Sequence, residues 1–439
     1  MKPGTRLTLD DSVRRRGRLL IGGSPLRLVR LGTAGDRLLD RWLAGEPLGA
    51  GPPEQRLARR LVDAGLVHPA PPIELTPADV TLVLPVKDNA AGAARVLAAT
   101  GGLRERIVVD DGSPQPLPGA RVRHDQPAGP AAARNAGWRL ARTELVAFLD
   151  SDTVPEPGWL DALLSQFSDP AVVAVAPRIR SLPGNSVLAR YEADRSSLDL
   201  GPHPAPVRPM SRVSYVPSAA LVVRRSALAA VGGFDTTLRF GEDVDLVWRL
   251  LDIGAVRYEP ASVVAHEPRA DLRRWLRQRF EYGTSAAPLS ARHRGRLSCA
   301  RLSVWSAAAW ALLAAGKPRS ALAVAVASTA LLPRRLRGRG VPVGESLRLA
   351  ALGQLGAGRL LAEAVRRAWW PLALLTRRGR RVLLVALVPC VAESLGHSPA
   401  WFALRVADDL AYGAGVWAGC VRERTVAPLL PQFTEGGLR

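Results

Sequence analysis

The chain has 439 residues, 47% of them hydrophobic and 23% charged, and a net charge of +21 that comes almost wholly from arginine. This is material for two or three domains with ample cores, and it excludes a disordered or fibrous chain. Three widely spaced cysteines, Cys299, Cys390 and Cys420, form neither a disulfide framework nor a C-x-x-C zinc pattern, and they fit a reducing compartment. The opening residues Met1-Lys2-Pro3-Gly4-Thr5 carry no apolar run, so a cleaved secretory signal is not expected. The charge favours anionic partners: nucleic acid, anionic lipid or nucleotide phosphates. No recognition helix, zinc finger or aromatic RNA-binding signature accompanies it, so nucleic acid is not expected.

Residues 1–75 read as a small α+β unit. Leu7, Leu9 and the run from Leu19 to Gly23 read as a short hairpin, and Leu26 to Leu31 alternates like a strand. Ala34 to Leu43 and Glu54 to Ala64 have helical spacing, with Leu38, Leu39, Trp42 and Leu57, Leu61, Val62 on apolar faces. Gly65 reads as a helix stop and Pro69-Ala70-Pro71-Pro72 as a stiff linker. The pattern resembles the PqqD-like peptide-recognition fold. A packing domain with no ligand of its own would show the same elements.

Residues 76–300 read as an α/β domain. Val80 to Val86 is a continuous apolar strand, helical spacing follows at Ala94, Val96 and Leu97, and Arg106 to Asp110 is a second apolar strand. Strand, helix and strand of this kind predict a parallel, buried sheet. Its turn Asp110-Asp111-Gly112-Ser113 places carboxylates at the C-terminal lip, where ligands of open α/β sheets collect. An Asp there can accept from a uracil N–H or ribose hydroxyls, although an ordinary Asp-Gly turn reads the same. Gly129 to Trp138 is Ala-rich and helical, with Arg134 and Asn135 as its polar pair. Val146 to Leu149 ends in Asp150-Ser151-Asp152, two carboxylates suited to a divalent cation that itself holds a phosphate. A strand closing in a solvated turn also explains them. Ala171 to Arg180 and Tyr215 to Arg224 are further strands, separated by an irregular or helical insertion over 184–212. Gly241 then precedes Glu242, Asp243 and Asp245 in the first turn of an apolar helix. A carboxylate at a helix start beside a metal–phosphate site is well placed to be a general base; dipole complementarity accounts for acids there too, at about 0.3–1 kcal/mol. His266, at the end of a last strand, is a candidate third metal ligand or a structural histidine.

Five short motifs occur in order: Leu84-Pro85-Val86, Val109 to Ser113, Ala133 to Gly137, Asp150-Ser151-Asp152 and Gly241-Glu242-Asp243. Together, from about Val80 to Tyr282, they resemble the family-two inverting glycosyltransferases with the GT-A fold. The resemblance implies that Pro85, Val86 and Asp111 lie against a uracil-type base and that Arg134 lies near the nucleotide. It implies that Asp150 reaches the ribose or the metal, that Asp152 ligates Mg²⁺ or Mn²⁺, and that Asp243 is the catalytic base assisted by Glu242. Lys87-Asp88 stands where an aromatic residue and Asn often occur in the family. Arg277 to Gly283 occupies the place of the Gln-x-x-Arg-Trp motif of processive synthases, so long-polymer synthesis is not expected. With the N-terminal unit, Trp369-Trp370-Pro371 and Asp408 to Trp417, the layout resembles the mycofactocin-system glycosyltransferases of actinobacteria. That family attaches glucose units from a nucleotide sugar to a peptide-derived redox cofactor or its precursor. A cell-envelope enzyme acting on a lipid or polysaccharide is the alternative.

Residues 301–439 read as an apolar, Arg-rich helical region. The apolar runs Leu302 to Ala315, Ala321 to Leu332 and Val382 to Ala392 fall short of the about 20 residues of a spanning helix. Flanked by Arg334, Arg335, Arg337, Arg339 and by Arg377, Arg378, Arg380, Arg381, they predict association with an anionic membrane surface, on its cytoplasmic side. A cytoplasmic helical domain packed on its apolar faces is the other reading.

Overall fold

The computed structural model describes residues 1–269 and 271–434. The chain divides into two compact units, Met1–Arg269 and the residues from 270 onward. The division therefore falls inside the stretch read as a single domain from 76 to 300, and the N-terminal elements share a unit with the large sheet.

The first unit opens with β1 (Arg6–Leu9), β2 (Arg14–Arg16), β3 (Leu19–Gly22) and β4 (Arg27–Arg30), then α1 (Thr33–Leu43), α2 (Pro52–Asp63) and β5 (Val67–Ala70). Leu20, Val29, Leu39, Trp42, Leu61 and Val67 form its buried core. Two local expectations are corrected. β1 does not form a hairpin with the Leu19 run; it pairs antiparallel with β5, Leu7 opposite Pro69. Pro69-Ala70 is therefore strand and not linker, and β3 instead joins β2 and β4. Short apolar runs mark strands but carry no information about a partner some sixty residues away, and a two-stranded edge tolerates proline.

The large sheet uses β6 (Val80–Val86), α3 (Ala90–Ala99), β7 (Glu105–Asp110), β8 (Val122–Arg123), α4 (Pro130–Trp138), β9 (Leu145–Leu149) and β10 (Thr153–Pro155). It continues with α5 (Asp161–Gln166), β11 (Val172–Ser181), α6 (Val187–Arg195), β12 (Ala205–Pro206), β13 (Ala220–Arg224), α7 (Arg225–Val231), α8 (Glu242–Leu250) and β14 (Ala255–His266). The strand order is β10-β14-β11-β13-β9-β6-β7-β8, with β12 on β14. As the apolar strands predict, β9, β6, β7 and β8 run parallel. β13 runs antiparallel to both β9 and β11, which makes the sheet mixed. Its inner strands are buried along their length, Val80, Leu82, Leu84, Leu145 and Ala147 being fully enclosed. The N-terminal elements are tied to this sheet region by polar contacts: Arg59 on Asp169 at 2.6 Å, Ser168 on the Pro72 carbonyl at 2.6 Å, and the Arg212 N–H on Ser24 Oγ at 2.7 Å.

The second unit is helical: α9 (Leu272–Thr284), α10 (Ala286–Arg292), α11 (Val304–Ala314), α12 (Pro318–Arg337), α13 (Val343–Arg367), the short α14 (Trp370–Leu374), α15 (Arg377–Ala386) and α16 (Val388–Glu393), and the long α17 (Pro399–Arg422). A parallel pair, β15 (Arg301–Ser303) with β16 (Gln432–Thr434), joins them. Among the described residues no helix is long and apolar enough to cross a membrane. α9 and α17 approach so closely that a Cβ on Gly415 would lie 2.0 Å from the Phe280 carbonyl oxygen. The Asp408-Asp409 pair holds this unit together. Asp408 meets Arg279 at 3.2 Å, and the buried Asp409 takes Arg366 and Arg405 at 2.8 Å with Arg367 at 3.5 Å. Burial alone would raise the Asp409 pKa, but Arg367, Arg405 and Arg366 together hold it below the usual carboxylate range. Replacing Asp409 by Ala takes the shared carboxylate from the buried Arg366 and Arg405, leaving Arg405 with Glu393 and Arg366 with the Ala386 carbonyl. Asp409→Ala is expected to destabilise the second unit by about 3–5 kcal/mol, read as a lower denaturant midpoint in tryptophan fluorescence; an unchanged midpoint would refute the assignment.

Candidate active site

The acidic motifs meet where the parallel strands end. β9 runs into Asp150, whose N–H bonds the Ala219 carbonyl at the start of β13 (3.0 Å). β10 then pairs with the end of β14, Thr153 opposite His266, so Asp152 comes to rest beside His266. Helix α8 starts at Glu242 because Gly241 turns the chain with φ of 80°, a left-handed conformation that any side chain would strain. Helix α4 brings Arg134 in from the side; Pro130 stands in its first turn.

Arg134 joins the motifs. It is buried, donates from Nη2 to Asp150 Oδ1 at 2.6 Å and from Nη1 to Glu242 Oε1 at 3.1 Å, and lies 5.4 Å from the centre of the Phe234 ring. Burial would weaken its charge, but Asp150, Glu242 and Asp243 keep it firmly protonated. Arg134 is thus a clamp between the strand-end acids and the helix-start acids. Asn135, next to it, bonds the backbone on both sides of Phe234 and fixes that ring's segment.

The carboxylates are held in different states. Glu242 is pushed up to about 7 by burial and by the neighbouring Asp243, and Arg134 only partly offsets this. Burial also raises Asp243, against the Val244 N–H that bonds its Oδ1 at 2.8 Å and against Arg134. The helix dipole favours ionised acids here by about 0.3–1 kcal/mol, and burial with like charge outweighs it. Asp152 moves the other way. Burial would raise it, but His266 and Arg269 hold it below the ordinary range. Asp245 pairs with Arg249, which also caps the Val231 and Gly233 carbonyls.

Of the candidate metal ligands, Asp152 and His266 are brought together, Oδ2 and Nε2 3.5 Å apart, with Arg269 at 3.4 Å from the same oxygen. Asp150 is turned to Arg134 instead. Among the described residues no three His, Cys, Asp or Glu side chains form a group that could hold a metal. An ionised carboxylate and an imidazole fit a divalent cation whose remaining positions are filled by substrate phosphate and water. They do not make a closed cage.

Pro85 and Val86 end β6 and Asp111 lies beside them, its N–H on the Val86 carbonyl at 2.8 Å. Both Asp111 oxygens already have partners: Oδ1 takes His124 and the Ala128 N–H, and Oδ2 takes the Gly129 N–H. Asp111 therefore shapes the entrance to α4 as well as facing the sheet lip. Asp110 is wholly internal and held down at about 2: burial works against it, while Ser113, the Leu117 N–H and Arg123 prevail. Sequence reasoning passed over Asn89. It caps α3 by accepting the Gly92 N–H at 3.0 Å and donates to Ser151 O and Oγ at 3.1 and 3.2 Å, which fixes the residue between the two aspartates. Its position just before an Ala-rich helix was the available signal.

Residues 91–230 match the family model described as Glycosyl transferase family 2. Together with the sheet and its lip of acids, the match defines a family-two glycosyltransferase with the GT-A fold. Over 95% of this chain and 95% of the relative, the sequence is 45% identical to the pre-mycofactocin glycosyltransferase of Mycobacterium tuberculosis. The chain belongs to the pre-mycofactocin glycosyltransferase family. It is also 28% identical to the succinoglycan biosynthesis protein ExoU of Rhizobium meliloti, over 42% of this chain and 59% of that protein. The solved mannosyltransferase PcManGT of Pyrobaculum calidifontis is 18% identical, with a TM-score of 0.38, over 65% of this chain and 90% of that one.

Asn89→Ala removes a helix cap and both donors to Ser151. It is expected to cost about 1 kcal/mol of stability, seen as a lowered Tm; a Tm equal to that of the parent would show that Asn89 does not hold the turn.

Proposed function

We propose that the protein is an inverting transferase that moves glucose from a UDP-sugar onto pre-mycofactocin, the acceptor in the name of its relative. The observation that carries the reading is the Arg134 clamp, which sets the helix-start acids Glu242 and Asp243 against the strand-end acid Asp150. In one displacement the acceptor hydroxyl oxygen attacks the anomeric carbon, its proton passes to an Asp243 oxygen, and the bond to the nucleoside diphosphate breaks with its electron pair. Attack from the opposite face inverts the configuration. Glu242, protonated in part near neutrality, adds no second full negative charge beside the base. Pro85, Val86 and Asp111 flank the nucleotide base, and Arg134 keeps Asp150 oriented toward the ribose. Asp152 with His266 would hold a divalent cation, which supplies neutralisation of the charge that builds on the leaving diphosphate.

The direct test incubates purified protein with Mg²⁺ or Mn²⁺, a panel of nucleotide sugars and pre-mycofactocin, read by mass. A hexose adduct from UDP-glucose is expected, and its absence with every donor would overturn the reading. Asp243→Asn should keep donor binding and lower kcat by about 10²–10⁴-fold; normal turnover would exclude it as the base. Because burial raises Asp243, the ionised base is lost at a higher pH than for a free aspartate. The acid limb of kcat/KM should then lie above the ordinary value of about 4.

A second reading concerns where the enzyme works. Trp305, Leu322, Val326, Leu384 and Val385 are exposed on helices of the second unit and Leu375 just after α14, and the exposed Arg377, Arg378, Arg380 and Arg381 open α15. We infer that this face lies on an anionic bilayer without crossing it, the arginines matching lipid phosphate. The protein should sediment with phosphatidylglycerol vesicles and not with phosphatidylcholine vesicles. Equal partitioning to both, or to neither, would remove the inference.

A further inference from the structure

Helix α2 carries Arg56, Arg59, Arg60 and Asp63 at spacings of three and four, so they share one face opposite the buried Ala58, Leu61 and Val62. That face forms one side of an open surface depression of about 640 Å³. Arg27 of β4 and Arg208, from the segment that follows β12, line the same space. Five guanidinium groups therefore face one depression with a single carboxylate, Asp63, among them. None of the six belongs to the acid cluster at the sheet lip.

The arginines differ in what already satisfies them. Arg59 is held by both oxygens of Asp169, at 2.7 and 2.6 Å, and lies 3.9 Å from Asp63. Arg208 donates to the Asp63 carbonyl, which bridges the N-terminal elements and the segment after β12. Arg56 and Arg60 are exposed and have no ion-pair partner among the described residues. Burial lowers the Arg208 pKa, Asp63 opposes this and the nearby Arg27 adds to it. Planar guanidinium forks pair with phosphate or carboxylate through two parallel hydrogen bonds. Several forks around one open bowl suit a ligand with more than one such group.

We propose that this depression is a second binding site, separate from the sugar-transfer site, for a small polyanion bearing two or more phosphate or carboxylate groups. The inference does not depend on the identity of the sugar acceptor. The test is equilibrium titration of the full-length protein with inorganic pyrophosphate and, separately, with tricarballylate. Both run at physiological ionic strength and in chelator, which leaves the sugar-transfer site without the divalent cation that would hold a diphosphate there. One saturable site per chain is expected for at least one probe, and which probe binds assigns the ligand to phosphate or carboxylate chemistry. The double variant Arg56→Glu/Arg60→Glu should weaken that binding by about tenfold or more while retaining UDP binding and basal transfer, because neither side chain touches the acid cluster. Arg208→Gln should weaken it as well. Wild-type protein that binds neither probe saturably, or a double variant that binds as the wild type does, would overturn the proposal.

Discussion

A single buried guanidinium organises the acid cluster at the lip of the large sheet. Arg134 is delivered by α4, and its two terminal nitrogens reach Asp150, from the end of β9, and Glu242, from the start of α8. Those acids lie 92 residues apart in the chain, on elements that share no ladder. An isolated charge in such a place would be strongly disfavoured, so the arginine requires the acids as much as they require it. Removing either carboxylate would leave a buried ion under-compensated, which is more destabilising than losing the pair as a whole. The clamp thereby makes the spacing between strand-end and helix-start acids a property of the folded core.

The same arrangement sorts the carboxylates by task. Glu242 and Asp243 are adjacent and partly buried, and one cation cannot fully neutralise both, so both are raised. Asp152, two residues beyond Asp150, has an imidazole and Arg269 beside it and stays ionised. Under the proposed mechanism, the aspartate that takes a proton and the aspartate that presents a standing negative charge are distinguished by their neighbours. This is the usual way in which one residue type performs two roles in one cleft.

The apolar strands and the helix-start acids were legible in the sequence because each depends on near neighbours: periodicity, and a glycine before acids. Partners were not. Nothing local says that Leu7 faces Pro69, that β13 runs antiparallel between β9 and β11, or that Asp150 turns to Arg134 while Asp152 turns to His266. Asp408-Asp409 shows the same limit from the other side. In the sequence the pair is only part of a layout, while in the structure both acids bind arginines within a helical unit. Two adjacent carboxylates serve structure or function according to which charges the fold brings to them, and that is decided by residues distant in the chain.

The +21 charge acquires a different meaning once these partners are known. Arg134, Arg279, Arg366 and Arg405 are buried and matched by carboxylates, so their presence reflects cohesion and gives no information about an external ligand. Arginine suits that work because it keeps its charge when buried and offers several donors in one plane. A net charge counted over the sequence mixes these internal cations with exposed ones. Only the second group can attract an anion, and the face of α2 shows how it is recognised: guanidinium groups at helical spacing, facing a shared depression, with too few carboxylates to match them. Composition alone cannot separate the two groups, because the separation lies in which arginine meets an acid within the fold.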